Sequence, residues 1–180
     1  MAKTKINIRE VLSLNFLHRR ETLVISGSVD SDANALAHAL GMKAERDGVS
    51  VMTINAGMLD EEFVEGEAGE FSAVRLIGIA RPKLLIIENL GVKKLAPSQA
   101  KVLARLISER ISKASTIITS PYPLSIMTIQ LGASTGVKSL LNSLSAHAGQ
   151  VIIGIKNESA TKRDAEIRKP APSLKTVQAQ

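Results

Sequence analysis

The chain has 180 residues, a length that predicts one domain, or one domain with a tail. Its apolar runs are too short to span a membrane, which predicts a cytoplasmic protein without a membrane partner. Cysteine is absent, which excludes disulfides and thiolate metal sites, and an aromatic content of 2% leaves little to stack the bases of single-stranded nucleic acid. The net charge of +6 favours a nucleic-acid or acidic partner, although a merely basic protein would carry the same charge.

Apolar runs separated by turn residues predict alternating helices and strands. A helix from Ile8 to about Arg20 comes first, followed by a strand at Thr22–Ser26 and a helix at Ala33–Asp47. Gly48 then stands where a left-handed residue ends a helix. Phe71–Ala80 fits either a strand or a short helix. The later elements are strands at Val49–Asn55, Lys83–Ile87, Ser115–Thr119 and Gln150–Ile155, and helices at Pro97 to about Lys113 and at Ser134–Ser145.

This alternation predicts an α/β domain over residues 1–156, with a mostly parallel sheet flanked by helices. Two segments differ from it. Residues 157–180 are basic and predicted to be a mobile tail. Leu59–Glu70 holds six of the 17 acidic residues and is predicted to be a surface loop, and a docking segment for a basic partner is the alternative. Its acidic residues are Asp60, Glu61, Glu62, Glu65, Glu67 and Glu70.

Polar residues follow the predicted strands at the edge where ligands bind in open α/β sheets. Asp30 and Asp32 follow the first strand, and they either hold a single Mg²⁺ ion or simply cap the next helix. The other strand ends carry Glu88, Asn89, Ser120, Pro121, Tyr122, Asn157 and Glu158.

The turn after the first strand lacks the residues of an active P-loop enzyme. Gly27 is well placed, but no second glycine and no lysine follow it to cradle phosphates. Asp30 and Asp32 would repel a triphosphate. The segment KLLIIEN is similar to a strand that ends in a magnesium-binding carboxylate, as is almost any buried strand.

The layout of strand, turn, alanine-rich helix, glycine and strand over residues 23–55 resembles the first motif of the DHH phosphoesterases, the group of the RecJ exonucleases. That family carries His-x-Asp-x-Asp-Gly where this chain has Ser28-Val29-Asp30-Ser31-Asp32-Ala33, so both aspartates are kept. The second family motif falls at Glu88 or Asn89. The third, Asp-His-His, falls at Ser120-Pro121-Tyr122, so all three of its residues are replaced.

The resemblance implies a domain similar to the N-terminal DHH domain of RecJ, in which the metal ligands are largely lost. A two-metal phosphoesterase needs several carboxylates and histidines, so the resemblance implies an inactive protein without metal or cofactor. Asp30, Asp32, Glu88, Asn89, Ser120, Pro121 and Tyr122 are then remnants of the motifs.

Degenerate DHH proteins imply a function in DNA replication. The resemblance points to an archaeal RecJ-like factor, similar to the DHH-fold cofactor of the eukaryotic helicase, that binds GINS and supports the MCM helicase at the replication fork. Direct contact with DNA is left open. Two alternatives remain: a metal-dependent single-strand nuclease or phosphoesterase using Asp30, Asp32 and Glu88, and an inactive RecA-like paralogue that binds DNA.

Overall fold

A computed structural model describes residues 8–27, 32–58, 64–65, 70–71 and 73–153, with only the backbone at 64–65, 70–71 and 73–75. Asp30, Asn157, Glu158 and the predicted tail lie outside these residues. The helices are α1 (Ile8–Leu12), α2 (Asn15–His18), α3 (Ala33–Arg46), α4 (Ala73–Ala80), α5 (Pro97–Arg110), α6 (Met127–Leu131) and α7 (Thr135–His147), with a 3₁₀ turn at Ala56–Met58. The strands are β1 (Thr22–Gly27), β2 (Val51–Asn55), β3 (Val64–Glu65), β4 (Glu70–Phe71), β5 (Leu84–Glu88), β6 (Ser115–Ser120) and β7 (Ala148–Ile153).

Five strands form one parallel sheet in the order β2-β5-β6-β1-β7. From β1 the chain crosses to the edge strand β2, returns through β5 and β6, and then passes β1 to form β7. The prediction of a parallel α/β sheet flanked by helices is therefore confirmed. The two short strands β3 and β4 pair with each other in antiparallel fashion, which places strand structure inside the acidic segment that was predicted to be a loop.

The central strands β1, β5 and β6 are buried on both faces of the sheet, whereas the edge strands β2 and β7 are partly exposed. In β5, Leu84 and Ile86 join the core under α1, α2 and α3, whereas Leu85 and Ile87 join the core under α4 to α7. A strand covered on both sides needs no polar alternation, which is why the segment KLLII identifies a central parallel strand.

Helix α3 packs closely on the sheet because its inner face carries small residues. Ala37, Leu40 and Ala44 follow helical spacing and are fully buried. At Gly41 a side-chain carbon would lie 2.9 Å from the Ile86 Cδ1 atom, so a larger residue would require the end of the Ile86 side chain to move. The helix ends as predicted, with Gly48 in the left-handed region at φ 75°.

The prediction of one helix from Ile8 to Arg20 is wrong. The chain breaks between α1 and α2, where Leu14 has a φ of 59°. Val11, Leu14 and Phe16 are all buried, and residues 14 and 16 point in opposite directions on a continuous helix. The break lets all three reach the same core. Among the helices described, none is long and apolar enough to cross a membrane.

Candidate functional site at the carboxyl edge of the sheet

Parallel pairing brings the carboxyl ends of β1, β5 and β6 to one edge of the sheet. Ser26 pairs with Ser120, and Ile87 pairs with Ile118. Helix α3 begins at the same edge, because it follows β1 after five residues. The first turn of α3 therefore faces the residues that end β5 and β6.

Three polar side chains form a hydrogen-bonded network at this edge. The Asn34 Nδ2 atom donates to Asn89 Oδ1 at 2.9 Å, and the Thr119 hydroxyl donates to Asn34 Oδ1 at 2.6 Å. The backbone N–H of Asn89 donates to the Thr119 hydroxyl oxygen at 3.0 Å and closes the ring. Asn89 has a φ of 61°, a left-handed conformation that asparagine tolerates better than most residues. The network ties the start of α3 to the ends of two strands.

Glu88 is nearly buried beside this network. Its side chain is 13% exposed, and its Oε1 atom lies 2.8 Å from Nε2 of His38 without hydrogen-bond geometry. His38 is one helical turn beyond Asn34, so both reach the sheet edge from the same face of α3. The predicted strand-end residues Glu88 and Asn89 thus face helix α3.

Ser120, Pro121 and Tyr122 shape the turn after β6. The buried Ser120 hydroxyl accepts a hydrogen bond from the Tyr122 backbone N–H at 3.1 Å. The half-buried Tyr122 ring covers Gly91, where a side-chain carbon would meet Tyr122 Cδ2 at 3.5 Å. Ser120 and Tyr122 thus hold the turn after β6 against the segment that follows β5.

Asp32 stands at the N-cap position of α3 and is exposed. Its carbonyl accepts the Leu36 N–H at 2.7 Å, but within the described ranges its side chain makes no capping bond. The predicted pairing of Asp30 with Asp32 lies outside the described residues, because Asp30 is not among them. Within that part, no three histidine, aspartate or glutamate side chains are grouped to hold a metal ion.

Counting from Gly27 locates the residues that the P-loop pattern would use. In G-x-x-x-x-G-K-[ST], the second glycine falls on Asp32, the lysine on Ala33 and the hydroxyl residue on Asn34. Ala33 is 6% exposed, carries no charge, and begins α3. Both polar atoms of the Asn34 amide are already bonded within the network. These residues do not fit a Mg²⁺-bound nucleoside triphosphate.

Asn34, Thr119 and His38 were missed as site residues from the sequence. The signal for Asn34 was its position seven residues after Gly27, where the P-loop pattern has the hydroxyl residue that binds Mg²⁺. Thr119 and His38 had no comparable local signal, since each is placed by contacts with a distant segment.

The sequence profile of one protein family, described as "IstB-like ATP binding protein", matches residues 2–167. An insertion sequence IS5376 protein of Geobacillus stearothermophilus, whose name describes ATP binding, is 28% identical over 161 residues, which is 89% of this chain and 63% of that protein. This chain therefore spans about three fifths of the length of that relative.

Solved structures share the fold. The structure of DnaI has a TM-score of 0.69 and 15% identity, covering 86% of this chain and 88% of the other. AMPPCP-bound DnaA from Aquifex aeolicus also has a TM-score of 0.69 and 15% identity, covering 88% and 49%. At these identities the likeness shows the fold alone.

The family match overturns the DHH interpretation. The RecJ-like assignment is wrong. The archaeal origin, the GINS and MCM partners and the replication-fork function that were derived from it are wrong as well. The nuclease and RecA-like alternatives gain no support from the family match either. The layout of strand, turn, helix and second strand over residues 23–55 is not specific to the DHH family, so it misled the assignment. A profile match over 166 of 180 residues shows that the chain belongs to the family of IstB-like ATP binding proteins.

Proposed function

We propose that this chain is a nucleotide-independent member of its family, which acts by binding rather than by ATP hydrolysis. The observation that carries the proposal is the closed network of Asn34, Asn89 and Thr119 at the place where a P-loop would hold Mg²⁺. The curated relatives are named as insertion sequence proteins, so we further propose that the chain serves an insertion sequence.

The electrostatics of the loop support this proposal. A P-loop lysine reaches the terminal phosphates as a point charge, and Ala33 cannot replace that charge. Asp30 and Asp32 add negative charge to the same segment. At about 4 Å, two like charges repel by roughly 1 kcal/mol in water and roughly 4 kcal/mol near a protein surface. The loop therefore loses an attraction and gains a repulsion.

The hydrogen bonds supply what a bound nucleotide would otherwise supply. In a P-loop protein, the ligand links the helix start to the strand ends through Mg²⁺. Here Asn34 makes that link directly through Asn89 and Thr119. The edge is therefore held together without a ligand.

Calorimetry with ATP and Mg²⁺ on the full chain tests the proposal. We expect no saturable binding up to about 1 mM ATP. A dissociation constant above about 1 mM means a binding free energy weaker than roughly −4 kcal/mol. A variant with Asp32→Gly, Ala33→Lys and Asn34→Thr rebuilds the motif and is expected to gain binding. The same triple variant with Ala33→Met is its matched control and should not bind.

Micromolar binding of ATP by the unchanged chain, or steady release of phosphate from ATP, would overturn the proposal. Either result would give this chain the ATP-binding role that the family description names.

A further inference from the structure

Glu88, the last residue of β5, carries a nearly buried carboxylate that has no strong cation beside it. Its side chain is 13% exposed, and among the described residues it forms no ion pair with a lysine or an arginine. Its Oε1 atom also lacks a hydrogen-bond donor within that part of the chain. A buried carboxylate is costly unless a cation or several donors compensate its charge. The end of β5 therefore holds an oxygen atom that favours a positive ion.

The imidazole ring of His38 stands beside this oxygen without a hydrogen bond to it. The His38 Nε2 atom lies 2.8 Å from Glu88 Oε1, but the two atoms lack hydrogen-bond geometry. Two ligands of one metal ion have this relation, because both point at the ion and not at each other. Ligand atoms about 2.1 Å from an ion are about 3.0 to 3.4 Å apart at octahedral or tetrahedral angles. A small rotation of the His38 side chain, which is 57% exposed, reaches this separation.

Asn55 places an amide oxygen on the same face of the sheet. Asn55 and Glu88 are partners in the parallel register of β2 and β5. The residues before them, Ile54 and Ile87, belong to the core under α4 to α7. Because side chains alternate along a strand, both end residues point to the opposite face, where α3 lies. The Asn55 Oδ1 atom accepts one hydrogen bond, from the Gly57 N–H at 2.8 Å, and keeps a second lone pair for a ligand.

These three side chains offer one imidazole nitrogen and two oxygens, one of which is charged. Imidazole suits Zn²⁺ and the neighbouring transition metals, whereas Mg²⁺ and Ca²⁺ prefer sites built from oxygen ligands. An open site with three protein ligands is completed by water, and the exposed side of the His38 ring admits water. Asn34, which stands at the Mg²⁺ position of the P-loop pattern, is not one of the three ligands.

We propose that His38, Glu88 and Asn55 bind a divalent first-row transition metal ion such as Zn²⁺. The ion compensates the charge of the Glu88 carboxylate and links α3 to the ends of β5 and β2. The proposal goes beyond the proposed function and does not depend on it, because no nucleotide takes part.

Calorimetric titration of the full chain with Zn²⁺, without a polyhistidine tag, tests the proposal. We expect a single ion per chain with a dissociation constant below about 100 μM, and no binding heat with Mg²⁺ at the same concentrations. His38→Gln removes the imidazole and Glu88→Gln removes the charge, so each should raise the dissociation constant by about 10- to 100-fold. Asn55→Asp adds a charged ligand and keeps the oxygen that accepts the Gly57 N–H. It should lower the dissociation constant by about tenfold.

His18→Gln and His147→Gln are the matched controls, because they remove the other two of the three histidines of the chain, both of them exposed. Their dissociation constants should stay within about twofold of the parent value. The proposal is overturned if the parent chain does not bind Zn²⁺ below about 1 mM, if His38→Gln binds like the parent, or if a control loses as much affinity as His38→Gln. Circular dichroism reports whether each variant keeps its fold. If Glu88→Gln does not fold, His38→Gln and Asn55→Asp decide the outcome.

Discussion

Asn34→Ala is the most direct perturbation of the network at the carboxyl edge. It removes the hydrogen bonds to Asn89 Oδ1 at 2.9 Å and from the Thr119 hydroxyl at 2.6 Å. Neutral hydrogen bonds contribute about 0.5 to 1.5 kcal/mol each, which gives about 1 to 3 kcal/mol for the two. Alanine is a better helix former than asparagine by up to about 0.7 kcal/mol. We therefore expect the free energy of unfolding to fall by about 1 to 2 kcal/mol.

Urea unfolding followed by circular dichroism measures this change, and a thermal melt should show a decrease of roughly 3 to 6 °C. Asn142→Ala is a matched control, since Asn142 is an exposed residue of α7 without a hydrogen bond that the structure describes. It should leave stability unchanged or raise it by up to about 0.7 kcal/mol.

A double-mutant cycle isolates the network itself. Thr119→Val removes the hydroxyl that bonds Asn34, so the two substitutions remove the same hydrogen bond. We expect their effects to fall short of additivity by about 1 kcal/mol. If Asn34→Ala costs less than about 0.3 kcal/mol and the effects simply add, the edge is not tied together by these side chains.

Three further substitutions test the packing. Arg110→Ala should lower the free energy of unfolding, measured by urea unfolding, by about 3 to 5 kcal/mol, because it leaves buried carbonyls without donors. Arg105→Ala, at an exposed residue, should cost about 0.5 kcal/mol. Similar losses for the two variants would contradict the hydrogen bonds of Arg110. Gly136→Ala would place a carbon 2.7 Å from the Lys101 backbone nitrogen and should cost about 1 to 3 kcal/mol or more by the same measurement. Gly78→Ala adds a carbon that meets nothing within 4 Å at an exposed position of α4. It should stabilise by about 0.5 to 1 kcal/mol, and a loss would count against the described position of α4.

The elements of the sheet were largely predictable from local sequence. Helix α3 and strands β1, β5 and β6 lie within one residue of their predicted limits. The start of β2 and both limits of β7 differ from the prediction by two residues. Periodicity identifies such elements because burial on one or two faces imposes a regular apolar pattern. It failed at α1 and α2, where three buried side chains are not on one helical face.

The absence of a P-loop lysine argued against an active P-loop enzyme, but it gives no information about the fold around the loop. A lysine in that loop contacts a ligand and contributes little to the core. The fold depends instead on residues such as Leu23, Ile86 and Leu103, which are buried whether or not a nucleotide is bound. A chain can thus lose the residues of a site and keep the architecture that surrounded it.

By itself, the sequence determined the α/β class, the parallel central strands, the strand ends that carry polar residues, and the missing phosphate-binding lysine. The strand order β2-β5-β6-β1-β7 was decided only by tertiary structure, because uniformly apolar strands do not specify their neighbours. The same holds for the network of Asn34, Asn89 and Thr119, whose members are 30 to 85 positions apart in the chain. Side chains so distant in sequence meet only when helices pack on both faces of the sheet and bring the strand ends together.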